Sequence, residues 1–178
     1  MYSIEILPTG QKFIQEINDA VSSGAPLEVG RKVKAILSQT IRSTPEFLSK
    51  EFREPHPDPE QYARYLLYKH PETLYSILAM VWRPGKNTFI HDHAGKWCSE
   101  GVWFGKLEVN SFAIEKGNGE EVFKFKPIKV QRMETGDADV WVPPTEHHQV
   151  KNPSLELSGS IHIYQGENHA SSSGDHRT

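Results

Sequence analysis

The sequence contains nine histidines, and two of them form the segment His91-Asp92-His93. Side chains two residues apart in an extended chain point to the same side, so both imidazoles can reach one metal ion. Farther along, His147 and His148 offer a third ligand, and only one of these two can face the ion unless the chain bulges there. The alternative interpretation is a pair of histidines that bind no metal, because they lie on the surface or have their hydrogen bonds satisfied within the protein.

The spacing of the residues around these histidines resembles the two sequence motifs of the cupins. In the first motif a cysteine takes the place of the usual glutamate ligand. Its matching residues are, in order, Gly85, His91, His93, Cys98 and Gly105. The second motif, with one residue inserted before its proline, is matched by Gly136, Pro143, His148 and Asn152. This spacing selects His148 rather than His147 as the third ligand.

The chemistry of such a site follows from its donor set. Three imidazoles without a carboxylate leave the full charge of a divalent ion uncompensated, and an octahedral ion would keep three open positions. This arrangement favours an anionic bidentate substrate together with dioxygen. Because Zn²⁺ also accepts three histidines and a water molecule, ligand type alone leaves the metal open.

A second group of polar residues alternates along one segment near the C-terminus. Ser160, His162 and Tyr164 are separated by Ile161 and Ile163, so their side chains share one face of a strand. If that face lines the metal cavity, the three groups can pass hydrogen bonds toward a bound substrate. A polar stripe that faces solvent is the alternative.

Over about residues 62–165 the chain resembles the cysteine dioxygenase family of cupins. Four separate patches carry this resemblance. They are Tyr62-Ala63-Arg64, the run 78–85 together with 90–93, Cys98 five residues after His93, and the run 148–152 followed by 160–164.

The resemblance implies a cofactor and a reaction. It implies that Fe²⁺ is held by His91, His93 and His148. It also implies that a small thiol is oxidised to a sulfinic acid, with both oxygen atoms taken from O₂. The substrate would be bound by Tyr62 and Arg64, and the arginine would clamp its carboxylate with a bidentate grip that lysine could not copy.

The same resemblance assigns roles to the polar strand. Tyr164 would position dioxygen or substrate, and His162 and Ser160 would orient its phenol. Cys98 matches a cysteine that forms a thioether with a tyrosine in some members of the family, and it would fix the Tyr164 ring. The alternatives are a small buried apolar residue for Cys98 and an ordinary solvated side chain for Arg64.

The identity of the thiol is less constrained than the reaction. Arg64 favours L-cysteine, because members of the family that prefer 3-mercaptopropionate tend to carry glutamine there. Trp97 and the segment Ser99-Glu100-Gly101 depart from the family, whose cysteine is commonly followed by an apolar run. A different pocket lining could admit 3-mercaptopropionate or mercaptosuccinate. A metal-dependent cupin without redox chemistry is the remaining alternative.

The elements that position these residues change character near residue 60. Apolar residues recur at helical spacing over 13–21 and 29–41, and Thr44-Pro45 predicts the start of a short third helix. Strands are predicted at Arg64–Tyr68, Tyr75–Trp82, Val102–Ile114, Val122–Met133, Ala138–Val142 and Leu157–Tyr164. No helical pattern separates them, so we predict a mostly β fold, an antiparallel cupin or jelly-roll barrel with an N-terminal helical segment. We expect one domain, in which helices within 1–60 pack on a barrel over 61–165 and a flexible tail covers 166–178.

The composition excludes several classes of protein. The 178 residues carry a net charge of −3, from 20 Lys and Arg against 23 Asp and Glu, and no basic run indicates nucleic-acid binding. No apolar stretch is long enough to span a membrane, and the first residues do not resemble a secretory signal. A single cysteine rules out an internal disulfide framework and is compatible with the cytoplasm, where we expect the protein. The sequence leaves the oligomeric state open and is compatible with a monomer.

Overall fold

The computed structural model describes residues 8–22, 24–44, 46–72, 74–116, 123–144 and 147–166. Within them, two helices precede eight strands. The prediction of a mostly β fold with an N-terminal helical segment is therefore confirmed. Apart from Gly166, the predicted tail lies outside the described residues.

The two helices are α1 (Pro8–Val21) and α2 (Pro26–Ser43). A proline in the first turn costs α2 no hydrogen bond, because the first amides of a helix have no partner within it. The buried face of α2 repeats every four residues, at Val29, Val33, Leu37 and Ile41. In the described part of the chain, no helix is long and apolar enough to cross a membrane.

The prediction of a third α-helix starting at Thr44 is wrong. The chain instead turns, with the amide of Phe47 donating to the Thr44 carbonyl, and then forms a 3₁₀ helix over Lys50–Arg53. Phe47 and Leu48 are both fully buried. We attribute the difference to this packing, because two consecutive side chains enter the core and the tertiary contacts outweigh local helix propensity.

The strands form two antiparallel sheets. Their bounds are β1 Ala63–Lys69, β2 Tyr75–Trp82, β3 Cys98–Phe104, β4 Lys106–Lys116, β5 Phe123–Glu134, β6 Ala138–Trp141, β7 His148–Lys151 and β8 Ser158–Gln165. One sheet has five strands in the order β1-β2-β8-β3-β6, and the other has three in the order β5-β4-β7. All strand pairs in both sheets are antiparallel.

One predicted strand was wrong, and one observed strand was not predicted. The segment Val102–Ile114 is not one strand, because the chain leaves the larger sheet after Phe104 and enters the smaller one at Lys106. Gly105 allows this change with a φ of +75°, and a Cβ there would lie 2.5 Å from the Ser158 hydroxyl oxygen. The short strand β7, which begins at His148, was not predicted.

Two apolar cores lie on opposite faces of the larger sheet. The outer core joins the helices to that sheet, and Ile77 and Ala79 of β2 belong to it. The inner core fills the space between the two sheets, and Leu78, Met80 and Trp82 of the same strand belong to it. Every residue of β2 is consequently buried. The inner core forms the interior of a jelly-roll barrel, and the candidate site opens from it.

Candidate metal centre

Three histidines converge at one side of the barrel. His91, His93 and His148 each place a ring nitrogen within 4.8 Å of the other two, a spacing at which they could hold a metal ion. The backbone fixes two of them, because the amides of His91 and His148 donate to each other's carbonyls at 3.0 and 2.9 Å. Trp141 stacks on the His148 ring at 4.5 Å between centroids. The cluster is thus built by a loop that bridges to β7.

The protonation of these rings suits a metal ligand. The Nδ1 of His91 lies 2.9 Å from the Phe89 carbonyl oxygen, which can only accept, so Nδ1 carries the proton and Nε2 keeps its lone pair. Burial lowers the pKa of His91. Burial and then the charge of His91 lower the pKa of His93 to about 3. Neutral imidazole is the form that binds metals, so the donor set fits a divalent ion.

The neighbouring histidine takes no part in the cluster. His147 lies 3.6 Å from the Asp92 carboxylate and packs against the ring of Phe125. Adjacent residues of an extended chain point to opposite faces, so this placement follows from the inward direction of His148.

A cavity of about 430 Å³ adjoins the three histidines. Arg64 of β1 and Tyr62 just before that strand both line it. Arg64 pairs across the sheet with Met80, whose side chain belongs to the inner core, so the arginine points inward. Tyr62 stacks on Trp82 with 4.4 Å between ring centroids. Among the described residues, none forms a hydrogen bond or an ion pair with the Arg64 guanidinium.

The polar residues of β8 point into the barrel rather than into solvent. Ser160 and His162 are buried, and Tyr164 and His162 line the cavity. The Ser160 hydroxyl oxygen lies 2.7 Å from Nε2 of His162, and the Tyr164 hydroxyl lies 3.3 Å from Nδ1 of the same ring. Trp82 donates from Nε1 to the Ser160 oxygen at 2.9 Å. The four side chains therefore form one chain of hydrogen bonds that ends at the cavity.

Cys98 faces Tyr164 across two neighbouring strands. The two residues are direct partners of the β3–β8 pair, so their side chains lie on the same face of the sheet. Cys98 is fully buried. Burial, followed by the neighbouring Cys98, raises the pKa of the Tyr164 phenol well above its usual value. The phenol is consequently neutral and a hydrogen-bond donor at physiological pH.

Two residues near the site were not assigned a role from the sequence. Trp82 anchors Ser160 through its indole, and Glu100 is a fully buried carboxyl group whose Oε2 lies 3.7 Å from Nδ1 of His162. An alternation signal was present for Glu100, because it lies two residues after Cys98 and two before Val102 on the inward face of β3.

Comparison with known proteins identifies the family. The family model for cysteine dioxygenase type I matches residues 30–174, which include β1 to β8 and every residue of the cavity described above. The chain belongs to this family. Membership of the cysteine dioxygenase family supports a thiol dioxygenase activity, and a cluster of three histidines that could bind a metal ion is consistent with it. The predicted family resemblance is confirmed.

Several solved structures of other proteins are similar to part of this chain. A protein of Thermus thermophilus is 15% identical, with a TM-score of 0.49 over 68% of this chain and 98% of its own. A cupin 2 conserved barrel domain protein of Salinispora arenicola is 18% identical, with a TM-score of 0.44 over 66% of this chain and 84% of its own. A conserved Klebsiella pneumoniae protein with a double-stranded β-helix domain is 18% identical, with a TM-score of 0.49 over 66% and 86%.

Proposed function

We propose that the protein is an Fe²⁺-dependent dioxygenase that converts L-cysteine and O₂ into cysteine sulfinic acid. The observation that carries this proposal is the Arg64 guanidinium, which pairs with none of the residues that the structure describes, in the same cavity as a three-histidine cluster. A cation without an acidic partner at the wall of a small cavity is suited to bind an anionic substrate group.

His91, His93 and His148 would hold the iron. When bound, Fe²⁺ supplies a redox-active centre at which a thiolate and dioxygen can react. Arg64 orients the substrate by binding its carboxylate through two parallel hydrogen bonds. Tyr62 packs on Trp82 and lines the cavity together with Arg64. The volume of about 430 Å³ suits a small thiol.

The polar chain on β8 acts on the other side of the cavity. Tyr164 holds its hydroxyl proton at the cavity wall, and His162 and Ser160 fix the direction in which that hydroxyl points. Cys98, the direct partner of Tyr164 in the β3–β8 pair, would form a thioether with the Tyr164 ring and so remove the rotation of the phenol. The net reaction balances because one thiol and one O₂ give one sulfinic acid with no other co-reactant.

Oxygen consumption by the iron-loaded protein tests this proposal. The protein is loaded with Fe²⁺ without oxygen, mixed with L-cysteine and air, and followed with an oxygen electrode, while the product is identified by NMR. We expect one cysteine sulfinate per O₂ consumed. Parallel reactions with 3-mercaptopropionate and mercaptosuccinate test the identity of the substrate. If either thiol reacts faster than L-cysteine, that thiol replaces L-cysteine as the proposed substrate. No oxygen uptake with any of the three would overturn the dioxygenase assignment.

A further inference from the structure

Glu100 is an acidic residue in the interior of the barrel. It is the direct partner of His162 in the β3–β8 pair, so both side chains lie on the inward face of the sheet. Its exposure is 0%, and its Oε2 lies 3.7 Å from Nδ1 of His162. The carboxyl group does not line the cavity and therefore cannot touch a substrate there.

The buried carboxyl group of Glu100 lowers the stability of the folded protein. Neither of its oxygens forms a hydrogen bond with any residue that the structure describes. Burial, with a smaller effect of Asp139 on β6, raises the pKa of Glu100 to about 8. A buried carboxyl group without hydrogen bonds destabilises a protein relative to an apolar side chain of similar size. Such groups occur at functional sites, where another requirement outweighs the cost.

The hydrogen bonds of Ser160 indicate which ring nitrogen of His162 carries the proton. Trp82 can only donate, so the Ser160 oxygen accepts its indole proton at 2.9 Å. Among the described residues, Nε2 of His162, 2.7 Å away, is the only acceptor within reach of the Ser160 hydroxyl proton, so Ser160 donates to it. Burial, followed by the charge of Arg64, lowers the pKa of His162 well below its usual value, so the ring is neutral. A neutral imidazole that accepts at Nε2 carries its proton on Nδ1.

The Nδ1 proton of His162 has two oxygens near it. The Tyr164 hydroxyl lies at 3.3 Å and the Glu100 carboxyl at 3.7 Å. When Nδ1 donates to Tyr164, the phenol proton is left to point into the cavity. In the opposite tautomer Nδ1 accepts from Tyr164, and the phenol proton points away from the cavity. The tautomer of His162 therefore sets the direction of the Tyr164 hydroxyl.

We propose that Glu100 is a positioning residue that keeps the proton of His162 on Nδ1 and thereby directs the Tyr164 hydroxyl toward the three-histidine site. A carboxylate can only accept, so it favours a proton on Nδ1, and the protonated carboxyl group does the same when its carbonyl oxygen rather than its hydroxyl faces the ring. At 3.7 Å the interaction is longer than a hydrogen bond and acts as a local field on the ring. The effect of Glu100 on turnover rests on the proposed function, whereas its effect on the tautomer of His162 is independent of that function.

Nitrogen NMR of the histidine rings tests the tautomer directly. In metal-free protein labelled with ¹⁵N-histidine, the His162 signals are assigned from a His162→Gln sample. We expect a protonated Nδ1 and an unprotonated Nε2 in the unsubstituted protein and in Glu100→Gln, whose amide oxygen still accepts. We expect both tautomers in Glu100→Leu. A protonated Nε2 in the unsubstituted protein, or an unchanged spectrum in Glu100→Leu, would overturn the proposal.

Kinetics and unfolding separate positioning from a structural role. Because Glu100 does not touch the substrate, Glu100→Leu should lower kcat about tenfold to a hundredfold with KM unchanged. It should also unfold at an equal or higher denaturant concentration, because an unsatisfied buried carboxyl is removed. Glu72→Leu, which replaces an exposed carboxyl group by the same apolar side chain, is the matched control and should change neither kcat nor the unfolding midpoint. A loss of kcat accompanied by a loss of stability would refute the positioning role. Absence of turnover in every protein would instead refute the proposed function and leave the NMR result standing.

Discussion

Replacing Arg64 by alanine tests whether its guanidinium binds the substrate carboxylate. Arg64 lines the cavity and pairs with Met80 across the sheet, and no described residue neutralises it. The substitution therefore removes a cation without exposing a buried acidic partner. We expect the fold to be retained and kcat/KM for L-cysteine to fall.

The size of the fall follows from the interaction removed. A hydrogen bond to a charged group contributes about 1.5–3 kcal/mol, which corresponds to a loss of about 10- to 150-fold in kcat/KM. Arg64→Lys keeps the charge but loses the bidentate geometry. Its kcat/KM should therefore lie between that of the unsubstituted protein and that of Arg64→Ala.

Cysteamine provides the sharpest comparison, because it is cysteine without the carboxylate. The loss caused by Arg64→Ala should appear with L-cysteine and be absent with cysteamine, in steady-state oxygen-electrode assays at equal iron content. Arg132→Ala is the control, because the Arg132 side chain is 86% exposed on β5. Equal losses with both thiols would show that Arg64 supports the site in another way and would refute the assignment.

Three further predictions concern covalent chemistry, stability and pH. If Cys98 forms a thioether with Tyr164, protein isolated after turnover should be lighter by two hydrogen atoms than its sequence mass, and Cys98→Ser should not; a full sequence mass after many turnovers would contradict this. Asn152 donates to the carbonyls of Trp82 and Glu156 from a fully buried position, so Asn152→Ala should lower the free energy of unfolding in urea by about 1–3 kcal/mol, and an unchanged value would contradict the role of these bonds. His93 has a pKa of about 3 against an ordinary value of 6.5, so below pH 6.5 the unfolded chain binds a proton that the folded protein does not. The metal-free protein should lose stability as the pH falls from 6.5 toward 3, and His93→Gln should reduce that loss; an equal loss in both proteins would contradict the burial of this ring.

Local sequence patterns predicted the parts of the fold that depend on short-range periodicity. The segment Tyr75–Trp82 was placed correctly, because an apolar run between turn residues is typical of a strand buried on both faces. The alternation of Ser160, His162 and Tyr164 placed three polar groups on one face of a strand, and the structure has all three on the inward face of β8. In both segments the side-chain period of a strand is set by the backbone alone.

Local sequence patterns could not predict the features that depend on pairing between distant segments. The break at Gly105 exists because the chain leaves one sheet for the other, and nothing within Val102–Ile114 indicates where that exchange occurs. The role of Glu100 depends on the register of β3 against β8, which brings it opposite His162. The sequence marked Glu100 only as a departure from the apolar run of the family. Long-range register is set by packing of the whole barrel, so these contacts required the structure.

Isotope labelling of the product tests the central claim most directly. The iron-loaded protein is supplied with L-cysteine under ¹⁸O₂, and the sulfinic acid is analysed by mass spectrometry. We predict that both oxygen atoms added to the sulfur carry the label, because the reaction takes both from one O₂. A sulfinic acid with unlabelled oxygen at either position, or cystine as the product, would contradict the assignment of the three-histidine cavity as a thiol dioxygenase site.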